Sequence, residues 1–467
     1  MTASRIMKPR TAAYVYFITL VSALGGLLFG YDWVVIGGAK PFYELYFGIA
    51  DSPILQGLAM SVALLGCLIG AMTAGSTADR YGRKRLLLAS AMLFLVSAYA
   101  TGAFCSFGPF LAARFAGGIA IGLASALSPL YIAEVAPPAV RGRLVSLNQM
   151  TIVLGILGAQ VANWLIADPI PDGMTPEAIA ASWNGQTGWR WMFWGAAFPA
   201  AAFLLLIGFI PESPRWLALK GRTQQARLVL ERIGGADYAR EQLEAVADAA
   251  GQPRGTLRTL FARPCRMVLW LGIFVAVFQQ WCGTNVIFNY AQEIFQSAGF
   301  SLGDVLFNIV VTGVANVAFT IVAIRTVDRW GRRALMRMGA GALAAIYVVL
   351  GTCYFLHLSG FFMVVLVVSA IACYAMSLGP VTWVLLSEIF PNRVRGIAMA
   401  TCTFALWSAC FLLTYTFPLL NSALGSSGTF WIYGGICLVG FVVFTRALPE
   451  TKGKSLEDIE NELVNRR

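Results

Sequence analysis

The stretch Gly75-x-x-x-Asp79-Arg80-Tyr81-Gly82-Arg83-Lys84 decides the fold, because its charged part occurs again in the second half as Asp328-Arg329-Trp330-Gly331-Arg332-Arg333. Two further pairs follow in the same order. Glu134-Val135-Ala136-Pro137 with Arg141-Gly142 returns as Glu388-Ile389-Phe390-Pro391 with Arg395-Gly396. Pro211-Glu212-Ser213-Pro214-Arg215 returns as Pro449-Glu450-Thr451-Lys452-Gly453. Three ordered pairs at near-constant offset mark a duplicated chain, and duplicated halves with a site between them are the mark of an alternating-access transporter.

Outward from these motifs the chain is apolar. Of 467 residues, 58% are hydrophobic and 12% charged, against about 25% charged in a soluble domain. Runs of spanning length lie near 14–38, 55–78, 86–105, 109–133, 144–167, 190–210, 268–296, 304–326, 335–356, 361–386, 397–420 and 429–447. The expected fold is an all-α polytopic membrane protein, with twelve transmembrane helices in two pseudo-symmetric six-helix bundles. Disorder, a coiled coil, a secreted disulfide scaffold and an outer-membrane barrel are excluded by the same composition. The expected units are 1–212 for the first bundle, 213–263 for a small cytoplasmic helical insert, 264–448 for the second bundle and 449–467 for a cytoplasmic tail. Thr223–Ile233 and Asp237–Ala250 carry helical periodicity within the insert, while 168–189, with Pro169, Pro171, Gly173 and Pro176, reads as an irregular outer loop.

The net charge of +11 comes from loops, not from a nucleic-acid surface. With alternate loops on one side, 31 of the 34 Lys and Arg share the side of the N-terminus, leaving Lys40, Arg114 and Arg190. This imbalance predicts a multi-pass protein of the cytoplasmic (inner or plasma) membrane with both termini in the cytoplasm. The expected partners are therefore the lipid bilayer and a small solute, with no nucleic acid and no required oligomer. The 9 Cys have no metal spacing and read as small buried hydrophobes, and the single His357 reads as a loop residue. No cofactor, no metal and no enzymatic constellation is expected in any span.

These motifs resemble the sugar porter family of the major facilitator superfamily over essentially the whole chain, and within it the bacterial proton-coupled pentose and hexose symporters. Gly75 to Lys84 matches the superfamily's loop signature. More specific to sugar porters are Pro211-Glu212-Ser213-Pro214-Arg215-Trp216, Pro449-Glu450-Thr451-Lys452-Gly453, Gln279-Gln280 with Gly283 and Asn285, and Gly379-Pro380-x-x-Trp383. The resemblance implies the major facilitator fold and proton-coupled symport of a monosaccharide. A facilitative uniporter would keep the fold and drop the coupling. A transporter-like sugar sensor would need a longer signalling domain than the short tail and insert offer.

Asp32 lies deep in the first span, and a charge there costs roughly 2.5–3.5 kcal/mol on insertion scales, so such residues are usually functional. Arg114, in the fourth span, is its natural partner. Proton-using sugar porters resemble this chain in carrying an acid and a base at these places, which implies a coupling role for the pair. For the sugar, amides supply both donors and acceptors, and aromatic rings cover the apolar face. The resemblance implies Gln149, Gln279, Gln280, Asn285, Asn316 and Trp383 as polar contacts, with Phe29 and Trp407 flanking the ring. Gly283 can interrupt the seventh span so that Gln280 and Asn285 face one cavity. Three positions depart from the family: Leu406 and Cys410 stand where relatives carry amides, and Asn289 where many carry Tyr. Finally, Asp79, Arg83, Glu134, Arg141 and Glu212, with Asp328, Arg332, Glu388, Arg395 and Glu450, place acids beside arginines at span ends. Such ends can pair across neighbouring helices, and the resemblance implies that they latch the cytoplasmic side in the outward-open state.

Overall fold

The structure is a computed structural model and describes residues 9–171, 173–250, 257–391 and 394–452. Every regular element among them is a helix. The first half consists of α1 (Pro9–Phe47), α2 (Pro53–Tyr81), α3 (Arg83–Ala103), α4 (Phe107–Val135), α5 (Arg141–Ile166) and α6 (Asn184–Phe209). Two amphipathic helices follow, α7 (Thr223–Gly234) and α8 (Ala236–Ala250). The second half opens on α9 (Arg263–Trp281), α10 (Thr284–Asn289) and α11 (Ala291–Ser297). It continues with α12 (Leu302–Trp330), α13 (Arg332–Phe355), α14 (Phe361–Met376), α15 (Leu378–Ile389) and α16 (Arg395–Arg446). The 52-residue α16 is two passes run together, broken at Gly425, whose φ of 67° lies in the left-handed region. Among the described residues eleven helices are long and apolar enough to cross a membrane, and counting α16 twice gives the twelve passes that the hydropathy predicts.

Local chemistry sets the boundaries. Ser52 caps α2 by accepting from the Leu55 N–H, with Pro53 in the first turn, where its missing N–H is harmless. The duplicated motif turns on one residue in each half. Gly82 (φ 99°) and Gly331 (φ 85°) end one span and start the next, a backbone that L side chains resist. Inside the first half, helices meet on small residues. Gly30 and Gly155 bring α1 and α5 into backbone contact, and Gly66, Gly70, Gly118 and Gly122 do the same for α2 and α4. Apolar lipid gives helices little hydrophobic reason to associate, so close backbone approach carries the packing.

The halves touch at the end opposite the basic connections. A side chain at Gly57 would run into the Tyr415 carbonyl, and one at Gly37 would crowd the carbonyls of Phe288 and Asn289.

Some elements differ from the sequence reading. The first span was expected to stop near 38, but α1 continues to Phe47 through Lys40 and Pro41. The irregular stretch 168–189 contains a short helix, Pro176–Ala181, capped by Thr175, and then a π-turn, Asn184–Gly188, that begins α6 early. The seventh span breaks at Gly283 (φ 86°) and again at Tyr290, and the tenth breaks at Ser377. His357 sits in the turn after α13. Six cysteines are buried, Cys265 and Cys373 are intermediate, and Cys105 is exposed. The tail beyond Lys452 lies outside the described residues.

Candidate transport site

Asp32 and Arg114 meet in the middle of the first half. Arg114 Nη1 donates to Asp32 Oδ1 at 2.7 Å and Nη2 to the Asp32 carbonyl at 3.3 Å. Both residues are buried, at 5% and 2% exposure. The guanidinium also stands 5.5 Å over the Phe193 ring. Asp32 Oδ2 has no hydrogen-bond partner among the described residues, so the carboxylate keeps a free oxygen on which a proton can sit. Beside the pair is a cavity of about 10 Å³, lined in part by Arg114, Trp33 and Asn289, which is room for about one water.

Across the interface, at the Gly283 break, the second half presents a chain of amides. Gln279 Nε2 donates to the Tyr374 hydroxyl at 2.7 Å, and Gln280 Nε2 donates to Gln279 Oε1 at 2.5 Å. Asn285 Nδ2 donates to Gln280 Oε1 and lies 3.9 Å from Cys410 Sγ. The left-handed Gly283 interrupts the helix, which allows residues five apart in sequence to meet. Each amide keeps donors or lone pairs beyond those that the chain uses. Linked in this way, the amides also polarise one another.

An aromatic trio joins the halves near this chain. Phe29 and Trp407 lie 5.9 Å apart, and Trp33 stands 5.7 Å from each. Leu406 and Cys410 are both buried on the same helix as Trp407. Of the other expected sugar contacts, Gln149 is half-buried, Asn316 is buried and Trp383 is exposed. Trp33 and Tyr374 escaped the sequence reading. Trp33 had one available signal, its position one helical turn after Phe29 and next to Asp32.

The basic ends show the duplication atom by atom. In the first half Arg83 grips Glu134 with two bonds of 3.0 and 3.1 Å and pairs with Asp79 at 3.1 Å. Glu212 Oε1 accepts from the backbone N–H of Arg83, Lys84 and Ser213, and the Ser213 hydroxyl donates to Glu134 at 2.5 Å. In the second half Arg332 pairs with Glu388 at 3.0 Å. Glu450 accepts from the N–H of Arg332 and Arg333, and the Thr451 hydroxyl donates to Glu388 at 2.6 Å. Arg141 and Arg395 donate to the carbonyls of Ala136 and Phe390. Burial raises the phenol of Tyr238, in the insert, above its ordinary value, and the charge of Arg141 pulls it the other way. The side chain of Asp328 lies outside the described residues. Every ion pair described at these ends stays within one half, so the clusters tie span ends into a plate on each side.

A buried cluster at the opposite end was also missed. Lys40 Nζ lies 2.9 Å from Glu44 and pairs with Glu293 of α11.

A duplicated helical membrane protein with a buried acid–base pair in one half and an amide chain in the other is a transporter and not an enzyme. A family model described as "Sugar (and other) transporter" matches residues 18–463, and the chain belongs to that family. It is 36% identical over 457 residues to the arabinose-proton symporter of Bacillus subtilis, covering 97% of this chain and 96% of that one. It superposes on the inward-open conformation of the xylose transporter XylE from E. coli with a TM-score of 0.84 at 35% identity, covering 96% of this chain and all of that one. On the proton:xylose symporter XylE bound to 6-bromo-6-deoxy-D-glucose the TM-score is 0.77 at 35% identity, covering 97% of this chain and all of the other.

Proposed function

We propose that the protein carries a monosaccharide, a hexose or a pentose, together with a proton across the cytoplasmic membrane by alternating access. The proposed orientation places both termini and the basic connections in the cytoplasm, because 31 of 34 basic residues lie on one side. In this reading residues 1–212 and 264–448 are the two moving bundles, with 213–263 as the insert and 449–467 as the tail, and one copy of the chain suffices.

The observation that carries the reading is the buried Asp32–Arg114 pair. Desolvation raises the proton affinity of a carboxylate, and a guanidinium alongside lowers it. Both residues belong to one half, so rocking of the halves alone leaves the pair intact. If the Asp32–Arg114 distance differs between the outward and inward states through movement within that half, proton affinity differs too, and protonation biases which state is populated. One proton moving down about 100 mV supplies about 2.3 kcal/mol. That sustains a sugar gradient of roughly 50-fold, at tenfold per 1.4 kcal/mol. Gln149, Gln279, Gln280, Asn285, Asn316 and Trp383 are assigned to the sugar hydroxyls, and Phe29 and Trp407 to its apolar face. The end clusters are assigned to latching the cytoplasmic side, a role that needs further pairs formed between the halves when that side closes, because the pairs described stay within one half.

Purified protein in liposomes tests this. An imposed inward pH gradient should drive labelled monosaccharide above its external concentration, and a proton carrier should abolish the gain. Equilibration without accumulation would replace symport by facilitative uniport.

A further inference from the structure

Lys40 carries a described ion pair that ties one half to the other. Lys40 is 2% exposed and Glu44 6% exposed, so both are shut away from solvent. Glu44 follows one helical turn later on α1, with its carboxylate 2.9 and 3.0 Å from Nζ. Glu293 reaches the same ammonium from α11, in the second half. The Tyr290 ring lies 5.7 Å from the ammonium, and the Tyr290 hydroxyl is held by the Thr414 carbonyl at 2.6 Å. Among the described ion pairs, those of Arg83, Arg114 and Arg332 join residues of one half and that of Arg227 stays within α7, whereas Lys40–Glu293 crosses between halves. It does so at the end where Gly37 meets the Asn289 carbonyl and Gly57 the Tyr415 carbonyl.

We propose that Lys40 and Glu293 are positioning residues of the transport cycle, forming an ion lock that closes the pathway at the end opposite the basic connections. This rests on alternating access, and not on which sugar or ion moves.

The two carboxylates have different parts. Lys40–Glu44 lies within one helix and survives any rigid movement of the halves. Lys40–Glu293 spans the interface and is broken when that end opens. Stranding a bare ammonium would make opening prohibitive, because breaking a buried pair by removing one partner leaves an uncompensated charge. Glu44 prevents this by remaining as counter-ion on the same helix. Glu293, whose side chain is already 23% exposed, moves into water. The lock is therefore reversible, and its strength is set by one pair and not by the whole cluster. It closes the end opposite the one to which the basic clusters are assigned, and the likeness to an inward-open relative agrees with an engaged lock.

The test places spin labels at Ile54→Cys on α2 and Leu424→Cys on α16, both exposed, with Cys105→Ser removing the exposed native thiol. Distance distributions are then recorded on the full chain in lipid. Lys40→Met and Glu293→Gln should each raise the ratio of long to short distances about tenfold, the effect of about 1.4 kcal/mol. Lys40→Arg should keep the wild-type ratio, and Glu44→Gln should leave it unchanged or lower it. Glu293→Gln carries the test if Lys40→Met fails to fold. Two results overturn the lock alone: folded variants with unaltered ratios, or an equal shift in Glu44→Gln, which would make the cluster mere helix packing. A wild type with a single distance under every condition would overturn alternating access as well.

Discussion

The two halves agree at their basic ends and part company in the middle. Arg83, Glu134, Glu212 and Ser213 have their counterparts in Arg332, Glu388, Glu450 and Thr451, down to the hydroxyl that bonds the glutamate. At mid-depth the first half holds a charged pair, Asp32–Arg114, and the second a neutral chain of Gln279, Gln280 and Asn285. Duplication has kept the scaffold that holds each bundle together, while the chemistry has divided. In the proposed function the half with the charge responds to the proton, and the half with the amides reads the sugar hydroxyls. Separation of this kind lets a coupling ion alter the conformational balance without contacting the sugar.

The severest way to break this comparison is Asp32→Asn. Asn keeps the shape and an oxygen for Arg114 but cannot cycle a proton. Accumulation driven by an imposed pH gradient should vanish entirely, while sugar binding and exchange of labelled sugar down its own gradient persist. A merely structural pair predicts loss of folded protein instead, because Arg114 would be left without its counter-ion, at about 3–5 kcal/mol. A folded Asp32→Asn protein that still concentrates sugar would remove the charge from the first half's role.

Next in size are the ends, where the halves look alike and yet differ in burial. The side chains of Arg83 and Glu134 are 6% and 4% exposed, against 12% and 22% for Arg332 and Glu388. Breaking the more buried pair costs up to about 3–5 kcal/mol, and the better-solvated one costs less. Arg83→Ala should therefore lower thermal stability more than Arg332→Ala. In the proposed orientation both should move the population toward the inward-open form in distance measurements between labels on the basic ends. No shift in either variant would reduce these charges to topology signals.

Much of this was legible in sequence. The motif pairs announced the duplication, the apolar runs gave twelve passes, and Asp32 announced itself as an acid in an apolar run. Gly283 was legible as a break because it stands between amides whose spacing does not suit one continuous helical face. Lys40 was not legible. A lysine followed by Pro41 reads as the end of a span, and the buried partners Glu44 and, distant in sequence, Glu293 explain how helix and charge continue together. Trp33 was hidden by its abundance class, since an aromatic residue in an apolar span is ordinary until its neighbours are known. The end clusters gave their charges but not their wiring, because Ser213 and Thr451 act through hydroxyls that no charge pattern shows. Burial and partner choice are tertiary facts, and periodicity alone does not carry them.

A third prediction tests the amide half. Gln280 is the middle of its chain, accepting from Asn285 and donating to Gln279. Gln280→Ala removes both bonds and leaves polar neighbours unpaired, worth about 1–3 kcal/mol. Sugar affinity measured by calorimetry should fall by about tenfold to a hundredfold, with the protein still folded. Unchanged affinity across Gln280→Ala, Asn285→Ala and Gln149→Ala would move the sugar site elsewhere.

The smallest effect, and the one that sharpens the comparison most, is expected at Leu406. It is buried beside Trp407, on the helix that also carries Cys410, at a place where the resemblance leads one to expect an amide. Leu406→Gln would extend the second half's neutral chain by one member. Without sugar the new amide is buried with few partners, so thermal stability should drop slightly. With sugar bound it can meet a hydroxyl, worth about 0.5–1.5 kcal/mol net, so affinity for a fully hydroxylated hexose should rise by about twofold to tenfold. A sugar lacking the hydroxyl at that edge should gain nothing, and the ratio of the two affinities isolates the new bond from any general loosening of the site. Equal changes for both sugars would show that residue 406 does not face the substrate, and the apolar character of this wall would then have no part in choosing it.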